Sequence, residues 1–208
     1  NGLITASTLE NWIDDWANNK PSGITGDLVI LEVVSGTSFN DDGTVKEAGT
    51  IINSATGVRT YVVNRSEVHE TRFNGVVDSP VMVASESSIN DFMAKYDIDP
   101  TQDMVVAAMG QGGGFANMQM GRVWYALRYW GAPADHLALL NGGAKTVLGS
   151  AYKSNNVANL SGHYDGANND APAPPGQSDP ATAAKNLPEA NMALMASYGD
   201  LLGMVAKG

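Results

Sequence analysis

Met-Val-Val-Ala-Ala-Met (104–109) is followed by Gly-Gln-Gly-Gly-Gly (110–114), then by Gly-Arg-Val-Trp-Tyr-Ala-Leu-Arg-Tyr-Trp-Gly (121–131) and Leu-Ala-Leu-Leu-Asn-Gly-Gly (137–143). This succession of a short apolar run, a run with helical spacing and a second apolar run is typical of a strand–helix–strand unit. The sequence therefore predicts buried strands over 104–109 and 136–140, joined by a helix over 117–130.

The segments on the amino-terminal side extend this alternation. Leu-Val-Ile-Leu-Glu-Val-Val (28–34) is nearly all apolar, as expected of a strand covered on both faces. A second strand is predicted over 60–64, and helices are predicted over 8–18 and 85–96. The order predicts an α/β fold with a central, mostly parallel sheet and helices on both faces.

The composition is that of a folded, acidic domain. Of the 208 residues, 43% are hydrophobic and 16% are charged, and the formal net charge is -10. This balance suits one domain with a substantial core. An acidic surface repels phosphate backbones, which argues against nucleic acid as a partner. The chain also contains no apolar run of the length that a membrane span requires.

The absence of cysteine limits the chemistry of the chain. It removes disulfides, thiolate metal sites, iron–sulfur clusters and a cysteine nucleophile together. The first residue is Asn1, small polar residues are abundant, and Lys and Arg number only 12. These features favour an exported protein, extracellular or periplasmic, whose signal segment has been removed, although a shortened chain would begin in the same way.

The run from 104 to 143 resembles the rhodanese family of sulfurtransferases. Rhodaneses carry a strand, an active-site loop, a helix reading roughly Arg-Val-Trp…Arg-Tyr-Phe-Gly, and a strand that ends in a Gly-Gly turn. Weaker parallels, including an opening helix and a first core strand, extend the resemblance over about residues 3–150. It implies a rhodanese-like fold for a domain that we place at 1–160.

The resemblance fails at the residues that carry rhodanese chemistry. Gly-Thr-Ile-Ile-Asn-Ser-Ala (49–55) stands where the family has Gly-His-Ile-Pro-Gly-Ala, without the His and the Pro. The family accepts sulfur on a thiolate at the start of the loop after the 104–108 strand, and Met109 or Gly110 occupies that position here. A thioether cannot be deprotonated to form a persulfide. The expectation is therefore that the chain is not a sulfurtransferase.

The amino-acid composition changes after about residue 160. Residues 161–186 are rich in Pro, Gly and Asn and predict a linker, and 187–208 predict an amphipathic helix. The apolar residues of that helix are expected to contact a partner: Met192, Met195, Tyr198, Leu202 and Val205. Tandem rhodaneses often pair an inactive first domain with an active second one. The helix could therefore open a second domain, or dock on another protein or another copy.

Several weaker site predictions come from single patterns. The loop of Gly110, Gln111, Gly112, Gly113 and Gly114, before a helix, could cradle an anion with its amides, although a flexible remnant of an active-site loop is the plainer interpretation. A dinucleotide-binding fingerprint would need glycine at the position of Phe115, so no cofactor is expected. Oxygen-rich runs at 40–43 and 165–170 are interpreted as turns rather than calcium loops.

Metal binding by methionine or histidine is not expected either. Met109, Met118 and Met120 are interpreted mainly as core residues, because methionines on a helix face most often fill a core. A metal site is disfavoured because the three histidines have no ligand spacing. Arg122 is expected to pair with a carboxylate at the edge of the core, such as Glu32. Together these observations predict a non-catalytic, exported structural or interaction module that self-assembles. The alternatives are the inactive half of a tandem sulfurtransferase and a small-anion-binding domain.

Overall fold

The computed structural model describes residues 2–34, 50–73, 75–109 and 116–154. Its centre is a five-stranded sheet in which every neighbouring pair is parallel, in the order β1-β8-β7-β2-β4. The strands of this sheet are β1 (Leu3–Ile4), β2 (Leu28–Val34), β4 (Val58–Asn64), β7 (Met104–Ala108) and β8 (Leu137–Leu140). The predicted α/β class and parallel sheet are confirmed.

Helices cover both faces of the sheet, as predicted. On one face lie α1 (Ala6–Asp14), α2 (Trp16–Asn19) and α5 (Ala144–Val147), which pack on Leu28 and Ile30 of β2. On the other lie α3 (Glu86–Lys95) and α4 (Ala116–Tyr129), which pack on Val29 and Leu31. Alternate residues of β2 therefore enter separate cores, which explains why its sequence is almost continuously apolar.

The predicted helix over 8–18 is wrong in one respect, because it is two helices. The Thr5 side chain accepts a hydrogen bond from the Thr8 N–H and begins α1. Asp15 leaves the helical conformation, with φ of −154° and ψ of 79°, and its carboxylate accepts from the Asn18 N–H to begin α2. A side chain that competes for backbone donors in this way favours a helix start over a helix interior.

Two smaller antiparallel pairs were not predicted. A short 3₁₀ turn (Arg65–Val68) leads from β4 into a hairpin of β5 (His69–Phe73) and β6 (Asp78–Val83). We call residues 69–83 the β5–β6 hairpin. The second pair joins β3 (Ile51–Ile52) to β9 (Lys153–Ser154). These strands are short or half-exposed, so their sequences lack the apolar runs that identify β2 and β7.

Arg59 ties the amino ends of the central strands together. Its buried guanidinium lies 3.2 Å from Asp27 before β2, 3.2 Å from Asp97 after α3 and 3.1 Å from Asp103 before β7. Burial raises the pKa of the Asp103 carboxyl, although Arg59 and the N–H groups of Asp99 and Asp27 act against that shift. We call Arg59 with its three aspartates the amino-end cluster.

Residues around the amino-end cluster add hydrogen bonds to it. The Asp103 carboxylate also accepts from the backbone N–H of Asp27 at 2.8 Å. His136 is buried, with Nδ1 3.0 Å from the carbonyl oxygen of Asp103, so this histidine is structural, as its position at a strand start predicted. At Gly26 an added Cβ would collide with the Asp103 carboxylate, so the close approach of these two segments requires glycine.

Replacing Arg59 with Met should destabilise the domain strongly, since it would leave Asp97 and Asp103 buried without their cation. Removing one partner of a buried ion pair costs about 3–5 kcal/mol. Urea unfolding followed by far-UV circular dichroism measures the change. Arg128→Met is the control, because Arg128 is half-buried and only donates to the Ala132 carbonyl near the end of its own helix. Equal losses for both variants would contradict the assigned role of Arg59.

Candidate functional site

Most of the predicted site residues lie outside the described residues. This holds for the glycine-rich loop and the carboxyl-terminal apolar residues, and for the oxygen-rich runs at 40–43 and 165–170. The loop consists of Gly110, Gln111, Gly112, Gly113 and Gly114, and the apolar residues are Met192, Met195, Tyr198, Leu202 and Val205. Their proposed roles stay predictions. Within the described ranges, no group of three His, Asp or Glu side chains could hold a metal ion.

The described residues flank the predicted loop on both sides. Met109 follows β7 and is buried, and its carbonyl oxygen accepts from the Ala144 N–H at 2.9 Å. The resemblance would place a catalytic thiolate at Met109 or at Gly110, and Gly110 lies outside the described residues. Met120 is buried in the core under α4, as predicted, whereas Met118 is 42% exposed. Met118 borders a cavity that was not predicted from the sequence.

This cavity lies between the β5–β6 hairpin and the first turns of α4. Its volume is about 440 Å³, within the range of small-molecule sites. Apolar side chains form most of its wall, together with the backbone of Gly121 in α4. We call it the hairpin cavity, and its lining residues are Val68, His69, Val81, Met82, Val83, Met118, Gly121, Arg122 and Tyr125.

Arg122 supplies the positive charge of the hairpin cavity. Its Nη1 donates to the Val81 carbonyl at 2.8 Å, and its buried Nε has no hydrogen-bond partner. The predicted pairing with Glu32 is wrong, because the two residues belong to opposite faces of the sheet. Arg122 lies on α4 over one core, whereas Glu32 of β2 accepts from the Ile52 N–H over the other. Among the described carboxylates, none forms a salt bridge with Arg122.

His69 is the second polar residue of the cavity. Its Nε2 is buried without a hydrogen-bond partner. Burial lowers the pKa of His69, and the positive charges of Arg65 and Arg122 lower it further. The imidazole is therefore neutral at pH 7 and lies in a positive field. The three histidines are scattered in the sequence, and the hairpin that brings His69 to Arg122 was not predicted.

A β-bulge in β6 positions the contact with Arg122. The pairing of the hairpin shifts between Glu70 and Arg72, and Val81 at this irregularity has φ of 64°. A positive φ is costly for a β-branched residue, by roughly 1–2 kcal/mol. Such strain persists only where surrounding contacts hold it in place. The Val81 carbonyl thereby meets the guanidinium of Arg122.

The turn of the β5–β6 hairpin presents apolar side chains to solvent. Phe73 is 65% exposed, Val76 65% and Val77 54%. The only other large hydrophobic side chains of the described residues with comparable exposure are Met118 and Leu3. Single exposed apolar residues are common, but a group on one projecting turn is typical of a protein contact surface.

Glu32 is a second unusual group, near the carboxyl end of β2. Its carboxyl is 1% exposed and carries one oxygen, Oε1, without a partner. Burial raises the pKa of Glu32 to about 8, and the hydrogen bond from the Ile52 N–H offsets only part of this effect. The carboxyl is therefore mostly neutral at pH 7. Its alternation with Ile30 places it over the core of α1, away from the hairpin cavity.

Comparisons with family models, with curated proteins and with solved structures give no match for this chain. Among the described helices, none is both long enough and apolar enough to cross a membrane.

Ionisation of Glu32 should make the domain less stable as the pH rises. The raised pKa means that the folded state holds a proton that the unfolded chain releases near its ordinary pKa of 4.5. The associated stability is present in full below that value and is lost as the pH rises through about 8. A shift of this size corresponds to roughly 5 kcal/mol.

Glu32→Gln tests this effect, because glutamine imitates the neutral acid. Urea unfolding at several pH values between about 5 and 9 should show a smaller loss of stability for the variant than for the parent chain. Glu86→Gln, an exposed residue in the first turn of α3, is the control and should keep the parent slope. Parallel slopes for the parent chain and Glu32→Gln would rule out the assigned titration.

Proposed function

We propose that this chain is a non-catalytic interaction module with a rhodanese-like fold, exported from the cell, that assembles with copies of itself. The exposed apolar turn of the β5–β6 hairpin carries the proposal. The five-stranded parallel sheet suits the proposed fold, and the resemblance places Met109 or Gly110 at the position of the family nucleophile, so neither alternative supplies a thiolate.

The hairpin turn suits a contact between folded proteins. Phe73 and Val76 are each 65% exposed, and both lie on one projecting element. Burying a large apolar side chain contributes about 1.5–3 kcal/mol. Two or three such residues at the centre of an interface are enough to dominate its binding free energy.

The partner that we propose is the segment 187–208 of a second copy. Its sequence spaces Met195, Tyr198 and Leu202 on one side of a predicted helix, and an amphipathic helix needs an apolar surface to cover that side. The preceding residues 161–186 are rich in proline, which favours an extended linker. In the proposed assembly, such a linker would let the segment reach a neighbouring copy.

Light scattering on the full chain tests this assembly. The parent chain should form particles heavier than its 21.8 kDa monomer. Deleting residues 170–208 should give a monomer whose circular dichroism still shows a folded domain. The double substitution of Phe73 and Val76 by Ser should weaken association at least tenfold, equivalent to about 1.4 kcal/mol.

Leu3→Ser is the matched control for the hairpin variant. Leu3 is 64% exposed but lies on β1, at the opposite edge of the sheet from β4, which leads into the hairpin. Its replacement should leave association unchanged. Normal assembly of the deletion variant, or a parent chain that stays monomeric at every concentration, would refute the proposal.

A further inference from the structure

We infer that the hairpin cavity is a binding site for a small organic anion, namely a carboxylate attached to an apolar body, which Arg122 and His69 hold by its charged end. This inference goes beyond the proposed self-assembly, because it concerns the body of the hairpin and α4 and not the exposed turn.

The charge of Arg122 is the first argument. Arg59, Arg72 and Lys95 each form a salt bridge with a described carboxylate. Arg122, like Arg128, donates to a backbone carbonyl and forms no salt bridge with a described carboxylate, but of the two only Arg122 lines the hairpin cavity and keeps a buried Nε without a partner among the described residues. A guanidinium is always charged and binds carboxylates through two parallel N–H groups. The missing counter-charge is the group that a ligand would bring.

His69 adds a second donor to the same wall. Its Nε2 has no partner, and Arg65 and Arg122 both act on the ring. Buried polar atoms in folded proteins almost always have a hydrogen-bond partner, so one without a partner beside a cavity indicates where a ligand atom would bind. An anion between Arg122 and His69 would give both side chains the acceptor that they lack.

The remaining wall fits an apolar body. Val68, Met82 and Tyr125 are among its lining residues, and the volume of about 440 Å³ greatly exceeds that of a bare inorganic anion. Pockets of this kind bury an apolar ligand and orient it with a few polar groups.

Gly121 keeps part of this space open. It lies inside α4, where glycine costs about 0.5–1 kcal/mol relative to alanine. A Cβ added at Gly121 would meet no atom within 4 Å, so no neighbouring side chain requires glycine at this position. A larger residue here would project into the space that the ligand would occupy.

The position in the fold agrees with this assignment. The hairpin follows the carboxyl end of β4, and α4 is the helix that comes after β7 in the chain. Open parallel sheets bind their ligands beyond the carboxyl ends of the strands. The amino ends are occupied by the amino-end cluster.

Calorimetric titration of the full chain with octanoate tests the site, with octanol and inorganic sulfate as the comparison ligands. Octanoate should bind more tightly than either, since only octanoate combines the charge with the apolar chain. Arg122→Gln should weaken octanoate binding at least tenfold and leave octanol binding unchanged. Arg128→Gln, on the same helix but outside the cavity, should bind octanoate like the parent chain.

Two substitutions at Gly121 test the cavity without removing a contact. Gly121→Ala and Gly121→Leu both improve helix propensity and should both fold. The alanine variant should keep octanoate binding, whereas the leucine variant should abolish it. This pair keeps the test decisive even where Arg122→Gln disturbs the hairpin through the lost Val81 contact.

His69 gives a readout that a purely structural role would not change. Bound octanoate should raise the pKa of His69, measured by the NMR shifts of its ring protons, because a carboxylate stabilises the imidazolium against Arg65 and Arg122. By linkage, octanoate should bind more tightly as the pH falls through the pKa of His69.

Three results would overturn the inference. These are no octanoate binding to the parent chain, equal affinity for octanoate and either comparison ligand, and unchanged binding by Gly121→Leu. Binding is measured per chain, so octanoate binding by the Phe73/Val76 double variant would support the cavity whatever the state of assembly. Failure of self-assembly would leave this test intact.

Discussion

The amino-end cluster is the constraint on which the arrangement of the domain depends. Arg59 belongs to β4, whereas its three carboxylates precede β2, follow α3 and precede β7, so a single guanidinium fixes segments that are far apart in sequence. Arg59, Asp97 and Asp103 are buried, and a buried charge is tolerated only where its partners are in place. Any change in the register of β2, β4 or β7 would separate Arg59 from at least one aspartate. The apolar runs of these strands could pair in several registers. The amino-end cluster therefore supplies the specificity for one register.

The amino ends of the strands carry structural contacts, so the groups that a ligand could use lie near the carboxyl ends. Glu32 lies near the carboxyl end of β2, and its carboxyl stays mostly neutral because it is buried. Beyond the carboxyl end of β4 come Arg65, in the 3₁₀ turn, and His69, in the β5–β6 hairpin. At the amino edge the buried guanidinium of Arg59 has carboxylate partners, whereas near the carboxyl edge the Nε atom of Arg122 and the Nε2 atom of His69 have no hydrogen-bond partner among the described residues. The amino-end cluster therefore stabilises the fold, whereas Arg122 and His69 are available to a ligand.

The central sheet could be predicted because its strands are buried on both faces. The runs at Leu28–Val34 and Met104–Ala108 are almost wholly apolar, and the stripe of α4 returns at helical spacing, so their secondary structure depends little on distant contacts. The division of the first helix depends on one side chain, Asp15, which accepts from Asn18. A helical apolar stripe that runs across both pieces conceals such a break, because Leu9, Trp12, Ile13 and Trp16 are all buried, as predicted.

The candidate site was beyond sequence reasoning for a physical reason. Its walls come from β5 and β6, whose half-exposed residues have no clear alternation, and from one face of α4, whose apolar stripe points elsewhere into the core. Arg122 was predicted to pair with a carboxylate, because a guanidinium on a helix most often pairs with a nearby carboxylate. The bulge at Val81 directs a carbonyl at Arg122, and no described carboxylate forms a salt bridge with this guanidinium. Through this contact with the bulge, Arg122 becomes the strongest candidate for ligand recognition in the described part of the chain.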